Sequence, residues 1–453
     1  MLKKLILTTF LVFLSYGQSK CENFIDNDFI KNIKPQLEIR PRFDWTSKKT
    51  TFQARDNAIG LITRINLGAH LDKLFNVDGL QAYIEFNHVS DLFDQKRTYN
   101  NKQNDSSYKY AFIADPSIER LTEAKISYTL SKTNFLFGRL KLNLDDQRFI
   151  SDANWRQTPQ SFGILGIQTK ELKNLDLLIA LIYERKWWAQ DGLKSYLDTG
   201  GTRTLNMAVT SDLNWGFNKA PIIIHGCYTI SPMLKITGYY YDITDIHKNW
   251  GGNLKGDIPI SKDIKINYLA EYAKQTDPSR TKYLNSKPDV DGNFYRVDTG
   301  FSIHGLNVKV GYYTFSEWKN NGATRGFSTP FTTFHLWEGW ADILAPGTAN
   351  GFYYGLKTFH VGLSYNHKNW GNFNVNYYNF KSKKSAPDGV DKYGEEIDLQ
   401  YTKKLTKKLT LLLKSAIYDG NGVAPNLNSS GTTKIHPWAK DSAKYWIMFT
   451  YKF

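Results

Sequence analysis

The 453-residue chain has two cysteines, Cys21 and Cys227, so at most one disulfide can form and the fold does not rest on disulfides. After the first 14 residues it lacks any run of about 18 apolar residues, which excludes a transmembrane helix. It also lacks a Pro- or Ser-rich linker and any low-complexity tract, so nothing divides it into the roughly three soluble domains its length would allow. Acidic residues are in deficit, 43 against 58 Lys and Arg, which gives a net charge of +15. No two His or Cys stand at ligand spacing, so no metal site and no other cofactor is expected. His70, His88, His225, His304 and His360 are scattered, with no local Ser/His pattern of a barrel lipase, and no catalytic residue is assigned.

Aromatic residues are plentiful at 15% although hydrophobic residues reach only 41%. The mean hydropathy is −0.46. A disordered chain would be aromatic-poor, so this is a folded protein of unusual pattern.

The N-terminus reads as an export signal. Lys3 and Lys4 precede a mostly apolar core, Leu5–Leu14, too short to span a bilayer, and small residues follow at Ser15, Gly17 and Ser19. Cleavage is expected after Gly17 or Ser19, giving a signal peptide over 1–19, a short periplasmic segment over 20–35 and one domain over 36–453. Losing Lys3 and Lys4 lowers the net charge from +15 to about +13. Export argues against nucleic acid as a partner. Ten of the fourteen arginines lie before residue 186.

The repeating period is two. In Gln36–Trp45, Leu37, Ile39, Pro41, Phe43 and Trp45 alternate with Gln36, Glu38, Arg40, Arg42 and Asp44. Gly371–Lys381 and Tyr393–Lys403 alternate in the same way. Soluble sandwiches alternate too, but over strands of about five or six residues, whereas about ten are needed for a tilted crossing of a bilayer. Strands are expected near 36–45, 57–71, 79–90, 119–130, 133–144, 161–170, 175–185, 202–213 and 227–243. Nine more fall near 249–260, 263–275, 293–303, 306–316, 352–366, 371–381, 393–404, 408–418 and 442–453. Short turns such as Leu130–Lys132, His304–Gly305 and Leu405–Lys407 alternate with long polar loops such as 91–118, 145–160, 317–350 and 419–440. The expected fold is therefore all-β: a transmembrane antiparallel barrel of about eighteen strands, or sixteen if 211–232 is an insert. In the last strand Tyr445, Ile447, Phe449, Tyr451 and Phe453 share one face. Such an ending resembles the signal read by the barrel-assembly machinery of the bacterial outer membrane, which makes that machinery and outer-membrane lipids expected partners.

Alternation assigns Arg40, Arg42, Arg64, Glu123, Lys125, Arg139 and Lys141 to the lumen, as a charged filter or as pairs across neighbouring strands. The loop after the fifth strand packs Asp145, Asp146, Arg148, Trp155 and Arg156 closely, which suits either a constriction or a brace against the wall.

Gly138-Arg-Leu-Lys-Leu-Asn-Leu-Asp-Asp-Gln-Arg-Phe149, then Trp155-Arg-Gln157 and Gln160-Ser-Phe162, resemble the long motif of alginate-export-type outer-membrane porins. Asp115-Pro116, Glu123–Tyr128, Tyr268–Gln275 and Leu336-Trp-Glu-Gly-Trp-Ala-Asp342 agree in order, so the resemblance spans most of the mature chain. Leu140 departs from it, since Gln is expected after Gly-Arg, and 211–232 departs in spacing. The resemblance implies an eighteen-stranded monomer that passes small solutes or an anionic polysaccharide by diffusion. Taken with the residues, the expectation is a non-enzymatic outer-membrane porin with a partly basic lumen. Its rival is a structural or adhesin-type barrel plugged by a loop such as 317–350.

Overall fold

Alternation of side chains builds eighteen long strands. In chain order they begin with β1 Ile33–Thr46, β2 Ala58–Leu71, β3 Leu80–Asp91, β4 Ile118–Leu130, β5 Thr133–Leu140 and β6 Ser161–Thr169. Next come β7 Leu175–Lys186, β8 Ile222–Ser231, β9 Leu234–Ile243, β10 His247–Pro259, β11 Ile264–Thr276 and β12 Asp291–Ile303. The last six are β13 Leu306–Phe315, β14 Leu356–His367, β15 Gly371–Lys381, β16 Lys392–Lys404, β17 Leu409–Asp419 and β18 Ser442–Lys452. The computed structural model describes residues 33–47, 57–92, 113, 115–189, 212–332, 335–420, 422–427, 430, 432–433 and 441–453. Residues 1–32, which hold the expected signal peptide, lie outside them.

Each strand pairs antiparallel with its chain neighbours, and β1 closes the sheet on β18, with Trp45 opposite Tyr445 and Ile39 opposite Tyr451. Closure leaves no unpaired edge to face lipid. The start of β1 at Ile33 and the end of β18 at Lys452 lie at the end of the barrel that carries the tight turns. One of these is the two-residue hairpin His304–Gly305, whose positive φ values of 47° and 85° match a type I′ turn. The long connections gather at the opposite, loop end.

The strand total agrees with the sequence, but two of the strands differ. The single strand expected over 227–243 is two, β8 and β9, broken at Pro232-Met233, because Pro232 cannot donate to a ladder. Most of the strand expected over 202–213 lies outside the described residues, and Leu213–Asn214 adds only a two-residue pairing on β7. The place beside β7 is filled by β8, from the Ile-rich stretch after Pro221.

Apolar side chains face outward along the strands, among them Ile84, Phe86, Ile126, Phe135, Phe137, Leu165, Ile167 and Ile179, all of them exposed. This is the outer surface of a transmembrane barrel. A conventional hydrophobic core lies inside, towards the loop end. There Phe149 and Ile150 of the β5–β6 loop pack with Phe327, Phe331 and Phe352 of the β13–β14 connection, and with Phe294 and Phe315 of the wall.

Candidate functional site

Two connections fold into the lumen and are sewn together. Ile150 bridges Phe331 in parallel, the Ser151 amide donates to the Phe331 carbonyl at 2.9 Å, and the Thr332 hydroxyl donates to the Gln147 carbonyl at 2.8 Å. The β13–β14 connection then carries a short helix, α1 (Ala345–Asn350), which returns the chain to the wall. The β5–β6 loop turns sharply at Asp145, Asp146 and Gln147, which all have positive φ.

The arginines of β1 and β2 grip this inward loop. Arg40 donates to the side chain of Gln157 at 3.1 Å and to the carbonyls of Asn154 and Arg156. Arg42 binds Asp44, Asp115 and the Trp155 carbonyl, and Arg64 binds Glu38, the Asn154 side chain and the Arg156 carbonyl. All three are buried. They brace the loop against the wall, where a freely solvated filter was one of the two expectations. Gln157 completes the joint, since its amide nitrogen donates to the carbonyls of Arg40 (3.2 Å) and Ile62 (2.8 Å).

Arg139 departs from the expected lining. It lies opposite Ala124 and Gly163, on the outward face with Phe135 and Phe137, and pairs with Glu184 at 2.7 Å. Strand β5 ends at Leu140, so the chain turns inward between Arg139 and Lys141. Two residues of the same parity therefore face opposite ways. Lys141 reaches Glu85 at 2.6 Å and Glu123 at 3.4 Å, while Lys125 pairs with Glu123 at 2.9 Å. A β-bulge at Glu85/Phe86 brings Thr122 and Glu123 together on the lumen side, where the Thr122 hydroxyl donates to Glu85. Glu85, Glu123 and Lys141 line a cavity of about 430 Å³ towards the turn end, with Glu38, Arg64 and Tyr83 in its wall. Its charges are balanced in pairs.

The loop residues divide by role. Asp145 is buried and accepts from the Tyr241 hydroxyl and from His225, 3.1 Å away. Asp146 stays exposed, 3.7 Å from Lys255. Arg148 binds Glu271, with its guanidinium 5.1 Å from the centre of the Trp337 ring, and Arg296 of β12 lies 4.1 Å from the same ring. In both arginines Nε and Nη1 are buried and have no acceptor among the described residues. Arg156 stacks over Trp188 at 3.8 Å and Trp155 at 4.3 Å, with Asp342 3.7 Å away.

The segment 335–342 crosses the lumen as a strap. His335 lies against Trp155, and its Nδ1 faces Asp342 at 3.0 Å. The Lys414 ammonium can only donate, so it fixes His335 Nε2 as acceptor and places the ring proton on Nδ1. Burial and then the neighbouring Lys414 hold His335 well below the usual histidine range, against the pull of Asp342. Burial would raise Asp342, but Lys444, His335 and Arg156 hold it below the usual carboxylate range. The wall carboxyls Glu396 and Asp398 accept the amides of Ala341 and Trp340. Glu338 is pushed up to about 8 by burial, which Arg148 and the Thr348 hydroxyl only partly offset. Sequence reasoning singles out this segment by resemblance and as part of the loop 317–350 that could plug the lumen. It assigns no role to Arg296, His335 or Lys414, and gives Gln157 only as part of a motif, since its partners Arg40 and Ile62 are distant in sequence.

The fold and its constricted lumen define a class: a transmembrane β-barrel narrowed by inward loops, matching outer-membrane porins. Among solved structures it resembles Acinetobacter baumannii OccAB2, with TM-score 0.65 and 15% identity over 94% of this chain and 100% of that one. Pseudomonas aeruginosa OccK8 (OprE) gives 0.62 and 16% over 94% and 99%. Pseudomonas aeruginosa OpdK, crystallised with vanillate, gives 0.62 and 12% over 94% and 99%. No protein-family model matches the chain, and no curated protein matches it by sequence.

Proposed function

We propose that the chain is a monomeric outer-membrane channel, exported by its 1–19 signal, that passes small anionic solutes by diffusion. The observation that carries this reading is the pair Arg148 and Arg296 at the strap, whose Nε and Nη1 lack an acceptor among the described residues while each Nη2 is held by a carboxylate, Glu271 and Asp298 respectively. Guanidinium donors left unpaired in a confined space favour carboxylate oxygens, to which they make charge-assisted hydrogen bonds. The fold of OpdK, crystallised with the carboxylate vanillate, supports the same class of solute. The alginate-export-type motif at Gly138–Phe149 adds polyuronates to the anions worth testing. The outward aromatic face ending at Phe453 is assigned to recognition by the barrel-assembly machinery.

The test is the reversal potential of purified protein in a planar bilayer across a salt gradient, with benzoate and oligouronates as blockers. An anion-selective current that these carboxylates block is expected. A cation-selective current, or no current from folded protein, overturns the reading.

A further inference from the structure

At the loop end, the outer face of the barrel carries three lysines on three adjacent strands. Lys357 of β14 lies directly opposite Lys381 of β15, and Lys381 lies opposite Lys392 of β16. A register shift at Phe380/Lys381 brings the last two into line. Like charges directly opposite one another destabilise a sheet, so such a row needs a counter-ion. The neighbouring carboxylates supply it to Lys392 alone. Glu395 receives Lys392 at 2.6 Å, Tyr377 at 3.0 Å and Asn379 at 3.1 Å. Glu317 is shared by Lys383 at 3.2 Å and Lys384 at 3.0 Å. Among the described residues no ion pair reaches Lys357 or Lys381.

Below the row, the same outward faces are apolar: Phe359 and Leu363 on β14, Phe373 and Val375 on β15, Ile397 and Leu399 on β16, all exposed. From Phe373 to Lys381 is eight residues, about 26 Å along the strand and about 20 Å along the membrane normal at a tilt near 40°. The lysines therefore stand at headgroup depth, above a surface suited to acyl chains.

We propose that the row Lys357–Lys381–Lys392 docks a phosphate-bearing lipid of the surrounding outer leaflet, its phosphates between the ammonium groups and its chains on the apolar faces beneath. A free anion would use only the upper half of this surface. The lipid uses both halves.

The experiment is native mass spectrometry of the whole protein in neutral detergent, after incubation with bisphosphorylated lipid A or its dephosphorylated form. Wild type should retain the phosphorylated lipid preferentially. The variant K357Q/K381Q/K392Q should retain about twenty-five-fold less or lower still, since each of the two lysines without an ion pair is worth about a factor of five. K357R/K381R/K392R should behave as wild type. If the glutamine variant does not fold, judged by heat-modifiable migration, K381Q at the exposed middle lysine should give a smaller loss. Equal retention by folded glutamine variants, or equal retention of the dephosphorylated lipid by wild type, overturns the proposal. Lipid binding is read without any current, so the outcome is independent of the solute the channel passes.

Discussion

Trp155 and His335 stack face to face, with ring centroids 3.4 Å apart and planes 10° from parallel, although they belong to different inward connections. Trp340 and Trp446 flank the same histidine at 6.1 and 5.9 Å. This contact is where the β5–β6 loop, the strap and the wall meet. Replacing Trp155 by Ala removes a large buried contact at a cost of about 3 kcal/mol. The two connections should then separate more often, giving larger and noisier single-channel currents. An unchanged conductance histogram in a folded W155A protein would show that the seam does not set the bore.

Glu338 makes the strap sensitive to alkali. Its folded value near 8 lies above the ordinary 4.5, so folding favours the protonated form. The resulting penalty is absent below about pH 4.5, grows as pH rises and levels off above about 8. E338Q should therefore match wild type in thermal stability near pH 4 and exceed it progressively towards pH 8.5. Ionisation also places a negative charge near Arg148, so wild type should lose anion preference between pH 7 and 9 while E338Q does not. Melting and reversal potential measured across that range decide both points.

His335 acts in the opposite direction. Its folded value is depressed, so the unfolded chain takes up a proton first as pH falls below about 6.5. Wild type should lose stability progressively below that pH. H335Q, which cannot titrate, should show a flatter profile over the same interval in heat-modifiability assays.

The two faces of the wall separate the arginines functionally. R148Q/R296Q removes donors at the strap and should lower the anion-to-cation permeability ratio several-fold. R139Q alters a pair on the outer surface and should leave the ratio unchanged. A shift in selectivity with R139Q would contradict the placement of that side chain.

Gly339 has φ of +78°, and an added Cβ would meet the Glu396 carboxylate oxygen at 2.3 Å. G339A should displace the strap from Glu396 and Asp398, costing about 1–3 kcal/mol. The check is a fall in melting temperature accompanied by altered conductance. A normal melt would show that the strap tolerates the shift.

The barrel was legible because alternation is local: Leu37, Ile39 and Phe43 declare the outer face of β1 without reference to any other strand. The break at Pro232-Met233 is hard to read because Cys227–Ile243 has no two-residue turn signal such as Asn-Gly, and the apolar pattern resumes directly after the proline. The lumen was less legible. Alternation assigns Arg40, Arg42 and Arg64 inward, but their partners at 154–157 lie about a hundred residues away. Parity failed at Arg139 and Lys141 because a strand end falls between them. His335 carries no recognisable local signature, since its role is set by Asp342 of its own strap together with Trp155 and Lys414 from two distant elements.

The seam between the inward connections also implies an order in time. Thr332 and Gln147 are 185 positions apart, and their contact is geometrically available only once the intervening strands are in place. The rim and wall can form by local hairpins, while the narrowing waits for the barrel around it. A newly inserted molecule therefore passes through a stage with a wider bore than the mature one. The duration of that stage is set by how fast two distant loops find each other.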